Sequence, residues 1–267
     1  MQEGTNLMLD FDFKCSVQTQ LDRLWLTPDD LAHALGVRPA SVRTWLDPAV
    51  PDRLPAKEAF DWLMARSDEL GDLAVKRLEQ AREAHSRWGQ AIVPYFSAND
   101  LEEGQPLGLE NLASHLIADK LKEKGDDVAI VFASRDDDYI DQHLDRLPTI
   151  DPKAEWAAEV DALGVTTLDL VRAFDTEPRV VKEWRSPNPK KRLLPTQAAY
   201  DFLGYYAEAL AGRTQQLLEE APNPMPYHTV PRTGKLTQQQ RIDNRAALAA
   251  ADALMAGTDH VIDFVYL

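Results

Sequence analysis

One cysteine, Cys15, stands in the whole chain, so no disulfide can form within it and a reducing, cytoplasmic setting is expected. Cys15 sits in an alternating, strand-like run with no His beside it, which reads as a structural thiol rather than a nucleophile. Positive charge is scarce as well: 29 Lys and Arg against 44 Asp and Glu give a formal net charge of −15. Such a chain gains little from neutralising phosphates, which excludes strong non-specific attraction to nucleic acid or to an anionic membrane. No apolar run is long enough to span a bilayer, and the first residues, MQEGTNLMLDFDFK, lack the basic start and apolar core of a signal peptide. P-loop, Rossmann fingerprint and nucleophile elbow are all missing. His33, His85, His115, His143, His228 and His260 show no metal-ligand spacing. The run Asp136–Asp138 has no His partner and reads as a solvated segment. The sequence therefore predicts no enzyme activity, no metal and no cofactor.

What is present is a globular composition, 44% hydrophobic and 27% charged over 267 residues, with room for two ordinary domains that each bury a core. The organising stretch is TPDDLAHALGVRPASVRTW, Thr27 to Trp45. Leu31, Ala32, Leu35 and Val37, then Val42 and Trp45, have the spacing of two short helices crossing over a turn at Gly36. Thr27 suits the N-cap, Pro28 the first helical position, and Asp29 and Asp30 the positive end of the helix dipole. Pro39 opens the second helix in the same way. Together they read as a helix-turn-helix, whose second helix is the one offered to a DNA major groove.

The pattern recurs in TTLDLVRAFDTEPRVVKEW, Thr166 to Trp184. Thr27, Asp30, Leu31, Ala34, Pro39, Val42 and Trp45 return as Thr166, Asp169, Leu170, Ala173, Pro178, Val181 and Trp184. Further out, Asp22, Leu24, Pro48, Arg53 and Leu54 return as Asp161, Leu163, Pro187, Arg192 and Leu193. Later still, Val93-Pro94-Tyr95 returns as Met225-Pro226-Tyr227. A repeat this long is a tandem duplication of small domains rather than a solenoid. The expected fold class is α+β, mainly α, with a first repeat over 1–140, a linker over 141–154 and a second repeat over 155–267. Each repeat reads as helix-turn-helix, long helix, strand, helix, strand, with an additional N-terminal strand over 6–14 that pairs with one of the others. Tyr95 and Tyr227 read as core packing beside their prolines rather than as the wall of a pocket.

Helix-turn-helix readers reach base edges from the start of the second helix and from one turn further on. Here those positions carry Arg38, Ser41, Arg43 and Thr44 in the first copy, and Arg179 and Lys182 in the second. Arg43 and Lys182 are equivalent, as a shared read-out position requires. The loop after each second helix offers Arg53 in one copy and Arg185, Lys190, Lys191 and Arg192 in the other, as phosphate contacts.

LAHALGVRPASVRTWL and LVRAFDTEPRVVKEWR resemble the helix-turn-helix of phage-repressor-type transcriptional regulators. The course beyond them, a Pro-containing loop, a long helix and a short PYF-like strand, is similar to small regulators of the anti-CRISPR-associated type. That resemblance implies a dimer contact built by the part after the helix-turn-helix, and repression of the protein's own promoter. The chain departs from the pattern in being duplicated and acidic, and in having Asp175 where Gly36 stands in the first copy. The function expected is a sequence-specific regulator reading double-stranded DNA with two units in one chain, with homodimerisation of the whole chain left open. The rival reading is an acidic protein-interaction module, or a DNA mimic, that keeps the scaffold without the DNA.

Overall fold

A computed structural model of the chain describes residues 13–97, 100, 101, 104–133, 152–188, 190–229, 235–256 and 261–267. It is mainly helical, about 64% helix, with few and short strands. In order come α1 (Phe13–Arg23), α2 (Pro28–Ala34), α3 (Pro39–Leu46), α4 (Lys57–Trp88), β1 (Ala91–Tyr95), α5 (Leu107–Glu123) and β2 (Val128–Phe132). Then follow α6 (Pro152–Ala162), α7 (Thr167–Phe174), α8 (Pro178–Trp184), α9 (Gln197–Glu220), β3 (Met225–Tyr227), α10 (Gln238–Met255) and β4 (Phe264–Tyr266). The order of elements in the first half thus returns in the second.

Two expectations change at the starts of the halves. Phe13, Lys14 and Cys15, read as strand, begin helix α1, because Val17, Leu21 and Leu24 continue a helical stripe from Lys14 onward. The rest of the expected N-terminal strand, 6–12, lies outside the described residues. Pro152–Ala154, assigned to the linker, are already the first turn of α6. The remaining linker and Asp136–Asp138 also lie outside the described residues.

Each helix-turn-helix is packed as its sequence dictates. Both first helices open on a complete capping box, Thr27 with Asp30 and Thr166 with Asp169. Gly36 takes the left-handed turn at φ 62°, and Asp175 holds the same conformation at φ 44°. Around them lie two matching cores. Val17, Leu21, Leu31, Val42, Ala59 and Leu63 line one; Trp156, Val160, Leu170, Val181, Ala199 and Leu203 line the other. The long helix α4 runs unbroken through Gly71.

The strands do something the sequence reading did not anticipate. β1 pairs in parallel with β2, Val93 opposite Ile130, and β3 in parallel with β4, Met225 opposite Phe264. The first pair packs its apolar face on Ala154, Ala157 and Ala158 of α6, which belongs to the second half. The second pair packs with Cys15 of α1, in the first half. Each half therefore completes its strand layer with the other half's first helix, and the expectation that each repeat buries a core of its own fails for these layers. A parallel two-stranded sheet is too small to stand alone and needs such a helix across it.

Candidate functional site

The second helices, α3 and α8, keep one face in the core and give the other to solvent. Val42 and Leu46 are buried on α3, as are Val181 and Trp184 on α8. Arg38, Ala40 and Arg43 are exposed on the first, and Glu177, Arg179 and Lys182 on the second. The two outward faces are thus not packed against each other.

The cations on these faces differ in how free they are. Arg43 is ion-paired to Asp29 at 2.6 Å, with both side chains about 60% exposed. An exposed pair of this kind is worth under about 1 kcal/mol, so a stronger anion can compete for the guanidinium. Arg179 and Lys191 both reach Glu183, at 3.2 and 3.3 Å. Thr44 spends its hydroxyl on the carbonyl of Ala40, at 2.8 Å, and Ser41 is half-buried. Arg38, Lys182, Arg53, Lys190 and Arg192 are exposed, with no ion pair among the described residues.

Arg185 is the exception among the expected phosphate contacts. Its guanidinium is half-buried, paired with Asp161 and hydrogen-bonded to the Tyr95 hydroxyl at 3.4 Å. It serves the seam between the halves, a role that the loop sequence SPNPKKR gives no sign of.

That seam is built from a residue pair used twice. The Tyr95 hydroxyl donates to Asp161, and the Tyr227 hydroxyl donates to Asp22; the aspartates are equivalent, as are the tyrosines. Burial pushes both phenols above the ordinary range, and the facing carboxylates push them further. Burial also raises the Asp22 carboxyl, with the Tyr227 bond and the Arg245 charge working against it. The tyrosines are core residues, as expected, and Tyr227 lines a cavity as well.

Two lysines missed by the sequence reading brace the loops that follow the second helices. Lys14, only 5% exposed, donates to the carbonyls of Asp47, Val50 and Arg53 at 2.8, 2.7 and 2.8 Å. Its counterpart Lys153 donates to the carbonyl of Lys191. Extending the repeat outward from Asp22 and Asp161 would have found them, since Lys14 and Lys153 stand at matching distances from those aspartates.

Among the described residues, no group of three or more His, Cys, Asp or Glu is placed to hold a metal ion, and no helix is long and apolar enough to cross a membrane. No protein family, curated protein or solved structure matches this chain.

Proposed function

We propose that this chain is a sequence-specific DNA-binding transcriptional regulator whose two homologous tandem domains give one polypeptide two reading heads. The observation that carries the reading is the repeated outward face of α3 and α8, with Arg38 and Arg43 on one and Arg179 and Lys182 on the other. Arg and Lys are the side chains best suited to the O6 and N7 of guanine, each good contact being worth about 1–3 kcal/mol of discrimination. Arg53, Lys190, Lys191 and Arg192 follow on the adjoining loops as phosphate contacts. Because Arg38 is matched by Glu177 and Ala40 by Arg179, the two half-sites differ in sequence. The first helices, each packed on both halves, support the reading too, since they tie the two heads to one frame, as a dimer of single-headed regulators would be tied.

The test is electrophoretic retardation with a random duplex library, followed by the same assay on the selected site. Arg43→Ala together with Lys182→Ala is expected to abolish selective retention while leaving the far-ultraviolet circular dichroism unchanged. Retention that is indifferent to this double substitution rejects the assignment.

The net charge of −15, with Arg43, Arg179 and Lys191 held by carboxylates, favours a second reading: an acidic module that docks a basic protein. Failure of every duplex to be retained at low salt, where phosphate contacts are strongest, supports that reading.

A further inference from the structure

Behind the helix-turn-helix pairs, on the seam between the halves, lies a cavity of about 600 Å³. That is the size of a small-molecule site. Leu26 and Leu107 from the first half and Val165 and Leu236 from the second give it apolar walls. Most of the charges around it are already committed. Asp161 holds Arg185, Asp22 accepts from Tyr227 and from Gln18, and Arg241 is bound to Asp169.

Three charges on the wall, Asp22, Asp30 and Arg245, make no ion pair among the described residues, and two of them, Asp30 and Arg245, keep hydrogen-bonding capacity unspent. Asp30 uses Oδ2 to accept from the Thr27 amide and hydroxyl, at 2.7 and 2.6 Å, which leaves Oδ1. Its counterpart Asp169 meets Arg241, but the first half has Gly108 in the matching place. The match is fixed by Asn111 and Asn244, which stand three positions later and bind the backbone of Phe96 and His228 in the same two-bond manner. Arg245 lies over the Trp25 ring at 5.7 Å and makes one long bond, 3.4 Å, to the Asp161 carbonyl, so most of its donors are unspent.

We propose that this cavity binds a small zwitterion of the α-amino-acid class with an apolar side chain. Its carboxylate takes the guanidinium edge of Arg245, its ammonium takes Oδ1 of Asp30, and its side chain lies against Leu26, Leu107 and Val165. A simple anion would answer Arg245 and leave Asp30 facing it, and a simple cation would do the reverse. A zwitterion answers both and leaves the net charge of the site unchanged. The site goes beyond the DNA-binding reading and does not depend on it.

Isothermal titration calorimetry on the full chain, without DNA, tests this with L-leucine, L-valine, L-phenylalanine and L-tryptophan at millimolar concentration. At least one is expected to give a saturable heat. Its methyl ester and its N-acetyl derivative, and the variants Arg245→Met and Asp30→Asn, are each expected to weaken binding about tenfold or more, the scale of one lost charge-assisted hydrogen bond. No saturable heat from any of the four, or equal binding of the ester and N-acetyl forms, overturns the proposal. The two derivatives need no variant protein, so the test holds even where a substitution unfolds the chain. DNA retardation is read separately, so failure here leaves that reading standing.

Discussion

Tyr227 donates its hydroxyl to Asp22, a residue 205 positions earlier in the chain. Tyr95 repeats the bond to Asp161 in the opposite sense, from first half to second. Replacing either tyrosine by Phe takes one hydrogen bond from a half-buried carboxylate, which keeps Arg185 at Asp161 and Gln18 at Asp22, at a cost of about 1–3 kcal/mol. Urea denaturation is expected to show that loss for Tyr95→Phe and for Tyr227→Phe, with fluorescence and far-ultraviolet dichroism still giving one coincident transition. A plateau with one half folded would contradict the shared strand layers.

The phenols of Tyr95, Tyr206 and Tyr227 are all raised, burial being the first cause in each. A group that holds its proton more tightly when folded contributes stability that is complete below its unfolded value of 10.0 and is lost as pH climbs through the higher folded value. Three of the seven tyrosines are therefore expected to ionise at higher pH than the others. Absorbance at alkaline pH, followed beside circular dichroism, checks this. A single ordinary titration of all seven in folded protein rules it out.

Lys14 satisfies three loop carbonyls from a buried position. Lys14→Met keeps the apolar stem and removes every donor, so a loss of about 3 kcal/mol is expected. Hydrogen exchange should quicken in the loop that carries Arg53 more than at the amides of α3. Unchanged exchange there would show that the ammonium is not what holds the loop.

At Gly108 the helix α5 passes so close to Trp25 that an added Cβ would stand 1.8 Å from its carbonyl oxygen. Backbone cannot swing aside as a side-chain tip can, so Gly108→Ala is expected to cost about 3 kcal/mol or more. A melting temperature within a degree or two of the parent would refute that. In the second half Gly164 stands in the place of Trp25, and a Cβ added there would meet the Arg245 side chain at 2.8 Å.

Much of the fold can be read from local pattern. The spacing of Leu31, Val42, Leu170 and Val181, with Thr27 and Thr166 as caps, is enough to place all four short helices. The long helices follow from their apolar stripes. The start of α1 is hidden in the sequence because Phe13 and Lys14 close the alternating run NLMLDFDFK, and a period of two cannot by itself reveal where a period of 3.6 takes over. Of the expected contact residues, Arg38, Arg43, Arg179 and Lys182 stand exposed on the outward faces of α3 and α8, as periodicity requires. Arg185 does not, since its partners Asp161 and Tyr95 lie 24 and 90 positions away.

The sequence by itself determined the repeated helix pairs, their caps and turns, and the scarcity of positive charge, because each of these is settled within a few residues or by counting. Only the tertiary structure decided that each half's first helix also covers the other half's strands, that Asp22 and Asp161 look across the seam, and that a cavity with Asp30 and Arg245 on its wall lies between them. Those arrangements follow from which apolar faces meet once the chain has closed, and a two-stranded layer accepts either α1 or α6 with equal local logic.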